Sequence, residues 1–503
     1  MSVQSGAVET PRSAAARGPV RLEKRKLRKV LRLADLYFFS VCAMLTFETL
    51  GQVSIAGGQA LTWIVVCGLT FYLPYALLVA ELGAALPVQG GLYAWVKEGV
   101  GPYPAALTAF FYWISNPVWL GGIVTTICIG VVQQFIAPLS SKGAQLAFGL
   151  VFIWLCVAAT VVGLRHGKWL PTVGAWAKVL LVLAFIALAL GYVGRQGHVA
   201  LHLASLTPSG SVLLLVLPAL MFSYLGYELQ SSAAEEMTAP RSQVPRSVFA
   251  SGLTVILGYI GVIAAILAVV PPARLRSIGG LTDAFAIVGG SSGMGGTLIA
   301  LALLVTYLGT ATAWLMGGDR TWAVAGMEGA APPFLGRLSG RLGTPVRVNV
   351  LSGLVSSLVF AATLGVTGAL ADQFSVALGL TVSVSLMSYL FVFPAFLLLR
   401  RRQPALARPY RVPGGHAGAW IVTLLCEGYA LVTVGFALWP PAASVPVSLG
   451  RPRFEAIQGG ALALIIAVAT VLYAHGRTRG RRQGLAREGR EGMDQAIERA
   501  PGP

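Results

Sequence analysis

The stretch FSYLGYELQSSAAEEMTAPRSQVPRS, residues 222–247, decides the fold because it begins inside a hydrophobic segment long enough to cross a membrane. Gly226 and Glu228 stand partway along that segment. Glycine weakens a helix, and a carboxylate is costly in hydrocarbon. Irregular backbone at membrane depth is tolerated only where it is buried in protein or lines a cavity. The stretch therefore predicts a helix break beside a solvated site.

The composition is that of a polytopic membrane protein. Of 503 residues, 56% are hydrophobic and 11% charged, and the mean hydropathy is +0.74, whereas a soluble domain is about a quarter charged. Twelve apolar segments can each cross a hydrocarbon core of roughly 30 Å as a helix. We predict spans at about 36–59, 61–83, 103–135, 145–164, 170–194, 211–234, 247–271, 283–317, 348–370, 373–399, 417–440 and 456–475.

The net charge of +18 is distributed unevenly between the two sides of the membrane. With twelve spans both tails lie on one side, and that side carries 30 Lys and Arg residues, while the other carries six. Cytoplasmic loops carry such an excess. We therefore expect a cell-membrane protein with both termini cytoplasmic and the lipid bilayer, rather than nucleic acid, as its partner. The sequence does not predict an oligomeric state.

Two predicted spans, five apart, carry the same kind of interruption. The first contains TFETLGQVSIAGG, residues 46–58, and the sixth contains FSYLGYE, residues 222–228. An odd offset of five gives the two halves opposite orientations, and broken segments at corresponding places in inverted halves mark a transporter binding site. We expect an all-α fold with 5+5 inverted repeats and breaks in spans 1 and 6. Its parts are a basic N-tail (1–33), a core (34–440, with repeats at about 34–194 and 211–399 and an eleventh span), a twelfth span (456–475) and a C-tail (476–503).

Four different motifs follow one another along the chain. They are AELGAALPVQGGLYAWVKEGVGP (80–102), the opening stretch (222–247), GGDRTWAVAGMEGAAPPFLGRLSGRLGTPV (317–346) and RPYRVPGG (408–415). Over roughly residues 28–440 the sequence resembles the amino acid–polyamine–organocation superfamily, and within it bacterial glutamate/GABA-type antiporters. The resemblance implies secondary active transport of amino acids or related amines by alternating access, proton-coupled or by exchange. A polyamine or amine permease of the same fold is the alternative.

The resemblance also implies roles for residues of span 6. Phe222 would be an aromatic lid over the substrate, Leu225 and Gly226 would line the break, and Glu228 would brace the gate. The full set of expected substrate-binding residues is Ala43, Met44, Thr46, Glu48, Phe222, Ser223, Leu225, Gly226 and Thr310.

Two features depart from the superfamily pattern. The usual Gly-rich break of span 1 is replaced by AMLTFETLG, residues 43–51, and Thr310 stands where the antiporters carry a carboxylate. The first departure makes the identity of the substrate less transferable from the family.

Two charged residues inside predicted spans have alternative roles. Glu48 has three possible explanations: it contacts substrate or protons, it is a hydrogen-bonded structural carboxylate, or the predicted boundary of its span is misplaced. Lys178 resembles a fifth-span lysine that takes the place of a sodium ion in some family members. Because burial disfavours a charged ammonium, we expect Lys178 to couple transport to protons; alternatively, it extends to the edge of the membrane.

Other conspicuous residues have plainer predicted roles. Glu235 and Glu236 are expected to be solvated or to pair with Arg241 and Arg246. Trp314 is expected to be an interfacial or packing aromatic.

No enzyme, metal or cofactor site is predicted. GGSSG, residues 289–293, fits a nucleophile motif around Ser291, but that motif needs a strand–turn–helix context and a histidine such as His198 or His202. The cysteines fall in apolar spans without CxxC spacing and are expected to be buried small hydrophobes; they are Cys42, Cys67, Cys128, Cys156 and Cys426.

Overall fold

The computed structural model describes residues 23–24, 27, 29–167, 169–196, 203–270, 280–366, 370–441, 445 and 448–499. Within these ranges the chain is all-α, and extended backbone pairs only at a single bridge between Leu31 and Met237. Among the described residues, ten helices are long and apolar enough to cross a membrane. In chain order they are span 2 (Gln59–Ala85), span 3 (Pro102–Phe135), span 4 (Lys142–Val162), span 5 (Leu170–Gln196), span 7 (Pro240–Val269), span 8 (Gly293–Met327), span 9 (Val346–Gly365), span 10 (Asp372–Arg402), span 11 (Gly415–Leu438) and span 12 (Arg451–Thr478).

The two remaining spans are broken, which brings the total to the predicted twelve. Span 1 consists of the helices Leu33–Met44 (span 1a) and Leu50–Ser54 (span 1b). Span 6 consists of the helix Gly210–Ser223 (span 6a) and the 3₁₀ helix Leu229–Glu236 (span 6b). Both predicted breaks are therefore confirmed: break 1 lies between Met44 and Leu50, and break 6 lies between Ser223 and Leu229. Gly226, in the second break, has φ +108°, a backbone conformation that glycine adopts readily and other residues rarely do.

The contacts between helices follow the inverted repeat. Span 5 packs against spans 1a and 8, and span 10 packs correspondingly against spans 6a and 3. Spans 4 and 9, which are counterparts, pack on each other. The connection between spans 2 and 3 contains the short helix Leu92–Gly99, and its counterpart between spans 7 and 8 contains Gly280–Gly289. Spans 11 and 12 lie outside this repeat.

The predicted eighth span, 283–317, is wrong in its bounds. The chain instead forms the short helix Gly280–Gly289 and then the longer helix Gly293–Met327. Gly290 and Gly293, which stand between these helices, have φ values of +81° and +73°, so the backbone turns there.

Spans 2 and 3 each contain a π-helical segment, at Gly68–Tyr72 and Leu120–Val124. Such segments occur frequently at functional sites, because the extra residue re-aims the side chains around it. Span 3 is the most buried of the ten long spans and span 12 the least. The centre of the bundle therefore lies around span 3 and the two breaks.

Candidate functional site

The two helix breaks meet through direct hydrogen bonds. The hydroxyls of Thr49 and Ser223 lie 2.6 Å apart, which joins break 1 to the end of span 6a. The hydroxyl of Tyr259, on span 7, contacts the carbonyl oxygens of both Met44 and Ser223, the latter at 3.1 Å. It also accepts the backbone N–H of Thr46 at 3.2 Å. One tyrosine hydroxyl therefore connects the polar ends that both breaks expose.

Trp314 of span 8 fills the space between the breaks. Its indole N–H donates to the carbonyl of Ala43 at 3.0 Å, and its ring packs against Gly226. A Cβ placed on Gly226 would lie 2.6 Å from the Trp314 ring and 2.7 Å from the methyl of Met44. Trp314 is buried, so it is a packing aromatic of the site and not an interfacial one.

Glu48 lies in break 1, and only one of its two carboxylate oxygens has a hydrogen-bond partner. Its Oε1 accepts the indole N–H of Trp119 at 3.2 Å, while Oε2 is buried without a hydrogen-bond partner. The side chain is 3% exposed. Trp119 immediately precedes the π segment of span 3, and its ring lies 6.3 Å from that of Trp314. Glu48 is therefore linked through two indoles to break 6.

Lys178 of span 5 points at the end of span 1a. Its ammonium donates to the carbonyl of Cys42 at 2.5 Å and lies 5.9 Å from the centre of the Phe47 ring. The side chain is 1% exposed, so it does not extend to the edge of the bundle. The carbonyl end of a helix carries a partial negative charge, which favours a cation there.

Glu228 lies at the end of break 6, directly before span 6b, and is held by two tyrosines. The hydroxyls of Tyr112 on span 3 and Tyr389 on span 10 both donate to its Oε1 at 2.7 Å. Its Oε2 is buried without a hydrogen-bond partner. The carboxylate therefore ties break 6 to one helix from each repeat.

All nine expected substrate-binding residues are buried. Phe222 is the most exposed of their side chains, at 7%. Thr310 is buried in span 8, where its hydroxyl donates to the carbonyl of Thr306 one turn earlier. In this conformation the region between the breaks is closed to water.

Three of the motifs meet on the face of the bundle that holds residues 29–32, here called the N-terminal face. Glu236 pairs with Arg320 at 3.1 Å and accepts a hydrogen bond from Gln89 at 3.4 Å. Glu235 pairs with Lys24 at 2.5 Å. The predicted pairing of Glu235 and Glu236 with Arg241 and Arg246 is wrong. These glutamates pair instead with Lys24 and Arg320, which are distant in sequence.

On the same face, residues of the fourth motif (408–415) bond to Glu81 of the first motif (80–102). Glu81 receives two hydrogen bonds from Arg400, at 2.8 and 2.5 Å, and lies 3.3 Å from Arg408. The backbone N–H of Val412 also donates to it, at 2.7 Å. Burial lowers the pKa of the Arg408 guanidinium, and the charge of Glu81 opposes that shift. The motifs thus supply two groups of ion pairs on this face, one around Glu236 and one around Glu81.

Sequence reasoning missed the aromatic residues that organise the site. Tyr259, Trp119, Tyr112 and Tyr389 each stand in a hydrophobic helix, where an aromatic residue is ordinary. Trp119 lies close to Pro117, Gly121 and Gly122, and these helix-weakening residues are a local signal of an irregular helix.

The structure offers little support for other kinds of site. In the ranges that it describes, no group of three His, Cys, Asp or Glu residues could hold a metal ion. The five cysteines are buried and free. Ser291 is exposed in a turn between two helices, which lacks the strand that a nucleophile motif needs. His198 and His202 lie outside the described residues.

Comparison with known proteins gives a consistent result. The family model for amino acid permeases matches residues 31–452. A probable agmatine/putrescine antiporter of Lactococcus lactis subsp. lactis is 28% identical over 378 residues, covering 74% of this chain and 80% of that protein. An uncharacterized transporter of Legionella pneumophila subsp. pneumophila is 27% identical, covering 87% and 95%. A glutamate/gamma-aminobutyrate antiporter of Lactococcus lactis subsp. lactis is 24% identical, covering 75% and 77%.

Proposed function

The chain belongs to the amino acid permease family, and we propose that it is a secondary active transporter that moves amino acids or related amines across the cell membrane by alternating access. The observation that carries this proposal is the junction of the two helix breaks through Thr49, Ser223 and Tyr259. Breaks at corresponding positions of inverted repeats expose backbone groups at mid-membrane, where a polar solute can be bound.

The substrate site in this proposal lies between the breaks. Its wall is formed by the nine buried residues named above, with Phe222 as the lid and Trp314 as the floor against Gly226. Because the region is closed to water, substrate enters only when one side of the bundle moves. Rocking of one repeat against the other around a fixed site would supply that movement.

Glu228 acts as a brace for the gate in this scheme. Its bonds to Tyr112 and Tyr389 join the mobile break to spans 3 and 10. Charge-assisted hydrogen bonds of this kind are roughly twice as strong as neutral ones. When the gate opens, either Tyr112 and Tyr389 move together with Glu228 or their hydrogen bonds to it break. Glu228 therefore helps to determine the rate of exchange.

Lys178 is the proposed coupling residue. Its ammonium occupies a position at the end of span 1a where a bound cation would neutralise the exposed carbonyls. Glu48 of break 1 is the carboxylate whose charge acts on it. We infer that protonation and deprotonation of Lys178 accompany the transport cycle, so that no sodium ion is needed. We also infer that both termini are cytoplasmic, from the excess of basic residues on their side.

Counterflow in proteoliposomes tests the proposed function. Purified protein is reconstituted into vesicles loaded with one unlabelled solute from a panel of amino acids and amines, and uptake of the same labelled solute is followed. We expect transient accumulation with at least one member of the panel and none in protein-free vesicles. A hydrolase would instead show product release that depends on Ser291. Accumulation with no member of a broad panel would refute the transport proposal.

A further inference from the structure

The polar groups of break 1 leave little room for the carboxylate of a substrate. Helix breaks receive a substrate carboxylate on freed backbone N–H groups. Here the N–H of Thr46 is bonded to the hydroxyl of Tyr259, and the Thr46 hydroxyl lies 3.0 Å from the same oxygen. The carboxylate of Glu48 lies in the same break and is buried. The break thus already holds an anion, supplied by the chain.

That anion has one oxygen free. Glu48 is 3% exposed and bonds through Oε1 to Trp119, while Oε2 has no hydrogen-bond partner. An unpaired buried carboxylate oxygen costs free energy until a donor reaches it. Intramembrane carboxylates of this kind usually face a partner, a pathway or a ligand.

Nearby aromatic residues suit a cation. Trp119 and Trp314 lie with ring centres 6.3 Å apart, and each indole N–H is fixed by an acceptor, Glu48 and the Ala43 carbonyl respectively. Indole faces attract ammonium groups through their quadrupole, and more strongly where the pair is shielded from water. The lid residue Phe222 adds a further aromatic face at the second break.

Lys178 does not neutralise Glu48 directly. Its ammonium is bonded to the Cys42 carbonyl, and no ion pair within 4.0 Å joins it to Glu48 among the residues that the structure describes. The carbonyl end of span 1a balances part of the lysine charge. The free oxygen of Glu48 is therefore available to a second cation.

From these contacts we propose that Glu48 occupies the place of a substrate carboxylate and that its free oxygen binds the ammonium group of an amine, so that the transporter carries amines that lack a carboxylate. This inference rests on the proposed transport function and narrows its substrate class. A carboxylate on the substrate would meet the fixed negative charge of Glu48 and would find the backbone N–H of Thr46 already bonded to Tyr259.

The test uses pairs of solutes that differ only by a carboxylate. Proteoliposomes containing the full chain are loaded with unlabelled agmatine or putrescine, and initial rates of labelled uptake are measured for agmatine against arginine and for putrescine against ornithine. We expect kcat/KM for the decarboxylated member of at least one pair to exceed that of its amino acid by about tenfold or more, since a charged hydrogen bond contributes that much.

Variants assign the preference to Glu48. Glu48→Gln keeps the shape and removes the charge, and we expect KM for the amine to rise at least about tenfold, with a smaller effect on the amino acid. Glu48→Asp keeps the charge on a shorter side chain and should retain part of the preference. Glu427→Gln is the matched control, because Glu427 is a half-buried carboxylate near the middle of span 11, outside the site.

The outcomes distinguish a failure of the inferred preference for amines from a failure of the proposed transport function. Exchange of amino acids at rates equal to or above those of the amines leaves the transport function standing and overturns the inference. Equal losses for amine and amino acid in Glu48→Gln overturn the role of Glu48. If Glu48→Gln does not purify as a monodisperse protein, Glu48→Asp decides: a selective rise in KM for the amine supports the proposal, and an unchanged selectivity refutes it.

Discussion

At the scale of single residues, aromatic side chains set the polar geometry between the breaks. The hydroxyl of Tyr259 lies within donating distance of the carbonyls of Met44 and Ser223, and it accepts the backbone N–H of Thr46. A hydroxyl has one proton and two lone pairs, so it cannot satisfy every neighbour fully at once. We infer that one of these carbonyls is released from the tyrosine when a substrate ammonium arrives.

Tyr259→Phe tests that inference by removing only the hydroxyl. Leaving buried carbonyls without a donor costs about 1–3 kcal/mol, so we expect a lower melting temperature in detergent and at least tenfold slower counterflow. Tyr103→Phe is the control, because Tyr103 is exposed and its hydroxyl contacts only Thr470 among the described groups. Counterflow of Tyr259→Phe at the parent rate would mean that the hydroxyl is dispensable.

Lys178 gives a second prediction at this scale. If its ammonium stands in for a sodium ion, net uptake into empty vesicles should be independent of sodium and should vary with pH. Lys178→Ala should abolish the pH dependence and slow net uptake, because the carbonyls at the end of span 1a lose their cation. Lys178→Arg should keep the charge without restoring proton exchange, since a guanidinium stays protonated.

The control for this series is Lys142→Ala, on an exposed lysine at the start of span 4. Its pH profile should match that of the parent. Either a strict requirement for sodium or a full pH response in Lys178→Ala would remove Lys178 from the coupling mechanism.

At the scale of helices, the break in span 6 depends on one glycine. Gly226 has φ +108° and touches both Trp314 and Met44. Gly226→Ala should therefore reduce transport by at least about tenfold, because its Cβ meets the indole at 2.6 Å and its backbone conformation is one that L side chains rarely adopt. Counterflow and melting temperature in detergent measure the effect.

The double variant Gly226→Ala with Trp314→Ala separates the two causes. Removing the indole relieves its own clash, while the contact with Met44 at 2.7 Å and the backbone strain remain, so transport should stay below that of Trp314→Ala alone. Gly428→Ala is the matched control, since a Cβ there meets nothing within 4 Å and alanine stabilises a helix by roughly 0.5–1 kcal/mol relative to glycine. A fully active Gly226→Ala would show that span 6 works without this conformation.

The helices were largely predictable, and the reason is physical. Hydrophobic length reveals a span, and a glycine beside a carboxylate reveals a break, because both are local properties of the chain. The bounds of span 8 were wrong because Gly290 and Gly293 divide an apolar run that hydropathy alone reads as continuous. The partners of Glu228 and Glu48 were not predictable, since Tyr112 and Trp119 reach them only after span 3 packs against the breaks.

At the scale of the whole molecule, the N-terminal face is closed by ion pairs that join segments far apart in sequence. Glu236 and Arg320 are buried, with side-chain exposures of 8% and 5%. The backbone N–H groups of Val30 and Leu31 also donate to the carbonyl of Glu236, at 2.9 and 3.0 Å. The N-terminal segment therefore lies across span 6b. For this face to open, both the ion pair between Glu236 and Arg320 and these backbone hydrogen bonds must break.

Arg320→Ala should consequently shift the transporter toward a conformation open on this face. Removing one partner of a buried ion pair costs roughly 3–5 kcal/mol, and moving Glu236 into water recovers part of that cost. The measurement is maleimide labelling of Ala233→Cys, a position buried on span 6b, after replacement of the five native cysteines by alanine. We expect labelling at least about tenfold faster than in the parent, because 1.4 kcal/mol already corresponds to tenfold in an equilibrium.

Two further variants determine whether the ion pair itself is responsible. Lys97→Ala breaks the pair between Lys97 and Glu328 at 2.7 Å on the same face, but that pair is partly exposed and is worth at most about 1 kcal/mol, so labelling should change little. The exchange Glu236→Arg with Arg320→Glu restores opposite charges and should return part of the protection. If Arg320→Ala is labelled no faster than the parent, the pair does not hold this face closed, and the gate must then depend on the contacts of Glu228 with Tyr112 and Tyr389.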